Sequence, residues 1–243
     1  MHESQSFGST ARMWSNHQFR CAPSRLGSHR RGCERWPACR FRRYRGLMSS
    51  TALRRALTDN GGLRPLPERV EVLLESLDAP PRLGAHLRAV HDVACELVDW
   101  VRTNYGVTFD GDALLFGAAT HDIGKVVHPE ELSGPGSEHE PDGYRLLLEH
   151  GVGEELARFA RTHASWLESG VGLEDLLVGL ADKIWKGKRV PELEQLVVQQ
   201  LAAADGEQPW QVFMALDDEL TRLAADADRR LTFQADYPIT SRT

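Results

Sequence analysis

Residues 113–125 read ALLFGAATHDIGK, a run of small and apolar residues that ends in His121 and Asp122. Asp110 stands three residues before the run and is of a type that caps helices, while Gly124 is of a type that ends them. The pattern therefore predicts a buried helix with two ionisable side chains at its carboxyl end. A carboxylate in such a place is costly unless it is paired or bound to a cation. The stretch indicates an internal polar site built on helices.

The same helical periodicity extends over most of the chain, and no run of alternating β-branched residues competes with it. We therefore predict an all-α fold, a single helical bundle over residues 65–232. The final amphipathic helix can cover either its own core or that of a neighbouring copy, so an oligomer stays open. The predicted helices span residues 67–77, 83–101, 110–124, 139–150, 153–167, 173–185, 191–203 and 209–231.

Charge is distributed unevenly along the chain. Residues 1–47 hold ten Arg and no Lys against Glu3 and Glu34, an excess of about +8 that leaves the remainder near −14, although the whole chain carries −6. Because an acidic domain repels polyanions, we expect no stable nucleic acid binding by the folded part. A small phosphorylated ligand is compatible with this charge if a metal ion supplies positive charge.

Residues 1–47 lack periodicity and combine Arg, Ser, Gly and Pro as unfolded tails do. A transit peptide, a basic nucleic-acid arm and a zinc-binding knot of His29, Cys33 and Cys39 are alternative interpretations. We favour a disordered basic tail, or upstream sequence ahead of a native start at Met48, because the composition changes abruptly there.

Cysteine content and hydropathy indicate the compartment. The four cysteines, three of them in residues 1–47, make no disulfide framework for 243 residues. The longest apolar stretch, residues 113–119, is far shorter than the roughly 20 residues that span a bilayer, and no apolar segment follows Met1 as in a secretory signal. These features predict a cytoplasmic protein that does not bind membranes.

The second predicted helix contains two histidines, of which one lies in the apolar stripe. His86 falls within the angular range of the stripe, whereas His91 lies at its margin and Asp92 points away. We therefore expect His86 to face the core and the His91-Asp92 pair to lie on the surface. The stripe consists of Leu83, Leu87, Val90, Ala94, Leu97, Val98 and Val101.

A distant aspartate stands in a setting similar to that of Asp122. Asp182 follows the apolar residues LLVGLA on another predicted helix. Imidazoles combined with carboxylates suit Mn²⁺, Fe²⁺, Co²⁺, Ni²⁺ or Zn²⁺ better than Ca²⁺. Each residue alone also has an ordinary explanation: a core histidine, a helix cap, or an ion pair between Asp122 and Lys125.

The order of these pieces resembles the HD-domain superfamily of metal-dependent phosphohydrolases. The matching segments, all within residues 83–186, are HLRAVHDVA from His86, THDIGK around His121 and GLADKIW around Asp182. The resemblance implies a helical bundle of the HD-domain type and a first metal ion held by His86, His121, Asp122 and Asp182.

Many members of the superfamily hold a second ion through two additional histidines. His139, with Gly143 four residues later, and His163 are the candidates here, and Asp122 would then bridge the two ions. The cofactor implied is one or two divalent ions, Mn²⁺, Fe²⁺, Co²⁺, Ni²⁺, Mg²⁺ or Zn²⁺. His128 and His150 are interpreted as loop or surface histidines.

The resemblance implies hydrolysis of a small phosphomonoester or nucleotide by metal-activated water. Asp122 and Lys125 are the predicted catalytic residues, and Lys125 and Lys183 are predicted to contact the phosphoryl oxygens of the substrate. The Gly-Tyr-Pro signature of cyclic-dinucleotide hydrolases is missing, because Gly143 and Tyr144 are followed by Arg145.

Two other functions remain open from the sequence. Some proteins of this fold use the same ligand set to hold two irons that activate oxygen, so an HD-type di-iron oxygenase is one alternative. A non-catalytic, metal-stabilised helical sensor module is the other.

Overall fold

The computed structural model describes residues 51–59 and 61–240. The expectations for residues 1–47, including the zinc knot of His29, Cys33 and Cys39, lie outside these residues. Within them the chain forms α-helices and two 3-10 turns and no β-strand, which confirms the predicted all-α fold. The helices are α1 Thr51–Thr58, α2 Glu68–Ser76, α3 Pro81–Asn104, α4 Gly111–Thr120, α5 His139–Glu149, α6 Glu154–Ala157, α7 Phe159–Thr162, α8 Leu173–Ile184, α9 Pro191–Asp205, α10 Pro209–Ala225 and α11 Ala227–Ala235. The 3-10 turns are Ile123–Val126 and Pro129–Leu132.

Helix α3 is the central element of the bundle. It packs against α1, α4, α8 and α11, and every residue from Leu83 to Ala94 is buried. Gly84 allows α1 to approach closely, because a Cβ there would lie 3.1 Å from Leu53 and 3.3 Å from Leu57. Burial on all sides is typical of a helix in the middle of a core.

This burial corrects the expectation that His91 and Asp92 lie on the surface. Their residues are 6% and 4% exposed. Asp92 accepts a hydrogen bond from the backbone N–H of Arg64 at 3.0 Å, and the Arg64 guanidinium donates to the Asp92 carbonyl at 3.2 Å. The apolar stripe could not predict this, because it identifies the most apolar face of a helix but not whether other elements cover the remaining faces.

Two predicted helices are broken in the structure. The predicted helix over residues 153–167 is two short helices, α6 and α7, which meet at Arg158 and end at Thr162. The predicted final helix is divided at Asp226 into α10 and α11. The break lets buried Arg230 donate hydrogen bonds to the carbonyl oxygens of Trp185, at 2.8 Å, and Leu223.

The carboxyl-terminal end of the described chain lies beside α1, a helix that the predicted domain of residues 65–232 leaves out. The Tyr237 hydroxyl donates to the Asp59 carboxylate at 3.1 Å, and Arg82 donates to the Tyr237 carbonyl at 2.9 Å. Among the described residues, no helix combines the length and the apolar character needed to span a bilayer.

Candidate metal centre

Helix α3 contributes His86 from its buried middle. The imidazole packs edge-on against the indole of Trp185, with 4.9 Å between the ring centroids. Its Nε2 lies 3.3 Å from Nε2 of His121, and its Nδ1 is buried without a hydrogen-bond partner. The ring therefore presents Nε2 to the residues at the end of α4.

His121 and Asp122 directly follow α4, whose first turn is capped as the sequence predicts: the Asp110 side chain accepts a hydrogen bond from the Ala113 N–H at 2.9 Å. Nδ1 of His121 lies 2.9 Å from the carbonyl oxygen of Ala118. A carbonyl only accepts, so Nδ1 carries the proton and Nε2 presents its lone pair to the interior.

Gly124 does not end α4, which corrects the sequence-based interpretation of this residue. The helix already ends at Thr120, and Gly124 lies inside the 3-10 turn Ile123–Val126. A Cβ at this position would lie 2.0 Å from the carbonyl oxygen of His139 and 2.7 Å from the backbone nitrogen of Gly143. Gly124 therefore serves close packing against α5, which brings His139 next to Asp122.

His163 directly follows α7 and is aligned in the same way as His121. Its Nδ1 lies 3.1 Å from the carbonyl oxygen of Ala160 and 3.2 Å from that of Phe159, which leaves Nε2 for the interior. Gly179 of α8 packs closely against this segment, since a Cβ there would lie 2.9 Å from the His163 carbonyl oxygen.

The six residues selected as metal ligands come together as two buried groups. In each group, one ligand atom from every residue lies within 4.8 Å of the others. The first group consists of His86, His121 and Asp182, and the second of Asp122, His139 and His163.

Asp122 lies between the two groups and turns one carboxylate oxygen toward each. Its Oδ2 is 3.0 Å from Nε2 of His86 and 3.6 Å from Nε2 of His121. Its Oδ1 is 3.0 Å from Nε2 of His139 and 3.5 Å from Nε2 of His163. Asp182 completes the first group, with its Oδ1 3.4 Å from Nε2 of His121.

The hydrogen bonding of these side chains fits a metal ion. Nε2 of His139 is buried and forms no hydrogen bond, although Asp122 Oδ1 is only 3.0 Å away. The donor set combines four imidazole nitrogens with two carboxylates, which suits first-row divalent ions. The buried groups can therefore hold divalent metal.

The electrostatics of the centre keep its two carboxylates ionised and disfavour protonation of His86 and His163, as metal binding requires. Burial raises the pKa of Asp122, but the imidazoles of His121 and His139 outweigh it and hold the pKa well below its usual range. Burial likewise raises the pKa of Asp182, and His121 and Lys183 bring it below its ordinary value. Burial lowers the pKa of His163 to about 3 and also lowers that of His86.

Glu131 supports the centre and was not selected from the sequence. Its carboxylate, nearly buried, accepts hydrogen bonds from the backbone N–H groups of Glu138 and His139 and pairs with Nδ1 of His139. Burial lowers the pKa of His139, but Asp122 and Glu131 outweigh it and raise the pKa overall. A carboxylate behind a ligating imidazole fixes the ring and increases its basicity. Glu131 lies in a short loop turn, where no periodicity distinguishes it from its neighbour Glu130.

Lys125 and Lys183 lie at the partly exposed edge of the centre. The Lys125 ammonium is 2.5 Å from Asp122 Oδ2, and the Lys183 ammonium is 2.5 Å from Asp182 Oδ2. Their side chains are 17% and 15% exposed, while the carboxylates are nearly buried. The ion pair considered for Lys125 is thus present, and Lys183 forms an equivalent one.

Of the seven histidines in the described residues, three lie outside both groups. His91 packs beside Cys95, His128 pairs with Asp142 at 2.8 Å between Nε2 and Oδ2, and exposed His150 bonds to a carbonyl of its own helix.

Comparison with known proteins identifies the family. No curated protein and no solved structure gave a match. The model of the HD domain matches residues 83–229, more than half of the chain, and this range contains all six residues of the two groups. The chain therefore belongs to the HD-domain family, whose members are generally metal-dependent hydrolases of phosphate esters.

Proposed function

We propose that the protein is a metal-dependent phosphohydrolase that cleaves a small phosphomonoester or nucleotide. The observation that carries the proposal is the position of Asp122. Its two oxygens each lie 3.0 Å from an imidazole nitrogen of a different group, Nε2 of His86 and Nε2 of His139. A carboxylate placed in this way is suited to bridge two ions.

Divalent ions bound at such a site lower the pKa of water and neutralise phosphate oxygens, which is the chemistry that phosphoester hydrolysis needs. The chain itself supplies the ligands in their correct tautomers, through the carbonyl groups behind His121 and His163. We assign Asp122 and Lys125 as catalytic residues. The ammonium groups of Lys125 and Lys183 would donate hydrogen bonds to the phosphoryl oxygens of the substrate.

A panel of phosphomonoesters, nucleotides and phosphodiesters, assayed with Mn²⁺, Co²⁺, Ni²⁺ and Mg²⁺ supplied separately, tests the proposal. We expect hydrolysis of at least one monoester or nucleotide. His121→Ala and Asp122→Ala should lower kcat/KM by about 1000-fold or more, since each removes a ligand of the ions. His150→Gln is the matched control, because this histidine is exposed and lies outside both groups.

Two outcomes would replace the proposal with another function. An absorbance band that appears when the iron-loaded protein meets air, without hydrolysis of any ester, would favour an oxygenase. A melting temperature that falls with chelator, again without turnover, would favour a metal-stabilised sensor module.

A further inference from the structure

A groove of about 680 Å³ is lined by residues of α5 and α7, the helices at His139 and His163 of the second group. Helices α5 and α7 form two of its walls, and His139 at the start of α5 and His163 just after α7 have ring centroids 5.7 Å apart. Glu140 and Thr162, the chain neighbours of these two histidines, line the groove. A substrate that reaches the centre can therefore extend along the same pair of helices.

The groove contains a guanidinium group that no carboxylate neutralises. Arg161 stacks on Tyr144, with its guanidinium carbon 4.3 Å from the ring centroid. No carboxylate of residues 51–59 or 61–240 lies within ion-pair distance of it. The other two arginines that line the groove are engaged, Arg158 with Asp175 at 3.1 Å and Arg145 with Asp142.

Buried Asp175 holds the walls of the groove in place. Its carboxylate accepts hydrogen bonds from Nε of Arg158, from the Thr162 hydroxyl at 2.8 Å and from the Gly172 N–H at 3.3 Å. These bonds join α7, the loop after it and the start of α8, and so hold the backbone that carries exposed Arg161. Stacking on Tyr144 restricts the exposed guanidinium, which reduces the freedom it loses when it binds an oxyanion.

We propose that Arg161 binds a second oxyanion of the substrate, a phosphate or carboxylate at the far end of a small scaffold. The inference rests on the proposed function, since the reacting phosphate would lie at the metal centre. Tyr144 is five residues beyond His139, which corresponds to roughly 7 Å along the axis of α5. Glu140 and Glu168 also line the groove and form no ion pair within the described part of the chain, so the selection for a negatively charged group depends on the position of Arg161 and not on the net charge of the groove.

Matched pairs of compounds with one and two anionic groups test the inference. The pairs are fructose 6-phosphate and fructose 1,6-bisphosphate, AMP and adenosine 3′,5′-bisphosphate, and glycerol 3-phosphate and 3-phosphoglycerate. Dissociation constants are measured by calorimetry on the full, Mn²⁺-loaded chain, so hydrolysis is not needed for a result. At least one doubly anionic compound should bind about tenfold or more tightly than its partner. The third pair tells a carboxylate from a second phosphate.

Arg161→Gln should remove most of that preference, while Arg145→Gln, which deletes an arginine already paired with Asp142, should keep it. Equal affinity within every pair would overturn the inference, and so would the same loss of preference in both variants, because that result would indicate only long-range attraction. Failure of the ester panel to show any turnover would instead contradict the proposed function, and the binding result would still decide the role of Arg161.

Discussion

Asp122 can lie between two groups of candidate ligands because the chain leaves its helix just before this residue. Inside an α-helix, neighbouring side chains point about 100° apart, so an adjacent histidine and aspartate would face different directions. Here α4 ends at Thr120, and both His121 and Asp122 turn toward the same buried space. The backbone nitrogen of His121 still donates to the Gly117 carbonyl at 2.8 Å, which ties the pair to the helix end.

His91 should make the protein sensitive to acid. Burial, followed by the charge of Arg64, lowers the pKa of His91 to about 4. Between about pH 4 and about pH 6.5, His91 binds a proton in the unfolded chain but not in the folded chain, so the stability falls as the pH falls. We expect the free energy of unfolding, measured with urea, to fall between pH 7 and pH 5 by about 2 kcal/mol less in His91→Gln than in the wild type.

His150→Gln serves as the control for this measurement because its side chain is exposed. The prediction concerns the difference between the two pH values, so any cost of the substitution at pH 7 cancels. An equal loss of stability in the wild type and His91→Gln would show that protonation of His91 does not contribute to the pH dependence of stability.

At the scale of elements, the centre depends on how closely short segments approach one another. The 3-10 turn Ile123–Val126 packs on α5 through Gly124 and Gly143, and α8 packs on the segment after α7 through Gly179. At each of these glycines, the atom nearest to an added Cβ would be a backbone atom, which cannot rotate aside as a side chain can. These glycines fix the distance between the helices that carry the ligands.

Gly124→Ala should therefore destabilise both the fold and the second group of ligands. The new Cβ would meet the His139 carbonyl, so α5 must shift and take the His139 side chain with it. We expect a loss of about 2–3 kcal/mol in urea unfolding and weaker Mn²⁺ binding.

Gly172→Ala is the matched control, since its added methyl would meet only the ends of the Glu174 and Asp175 side chains. Equal stability of Gly124→Ala and Gly172→Ala would contradict the role given to the turn.

At the scale of the whole molecule, periodicity was sufficient to predict the fold class, because apolar residues recur with helical spacing along most of the described chain. The residue type of Asp110 correctly predicted the cap of α4. Periodicity did not show that α3 is covered on all sides, and for that reason the burial of His91 and Asp92 was missed. Glu131 was missed because its role depends on a contact with α5 rather than on any spacing in the sequence.

The six residues that could hold metal were selected by resemblance and come from α3, α5, α8 and the ends of α4 and α7, over nearly a hundred positions of chain. Their convergence is a property of the assembled bundle, since no element alone supplies a complete group. Metal bound to such a site should stabilise the folded chain as well as serve catalysis.

The number of Mn²⁺ ions bound per chain, measured by mass spectrometry of the metal after excess ion is removed, tests the central claim most directly. We predict two ions for the wild type and for His150→Gln and about one for His163→Gln. Asp122→Asn should bind fewer ions than the wild type, because its amide is a poor bridge between two ions. Equal metal content in all four proteins, or none in the wild type, would contradict a metal centre at Asp122.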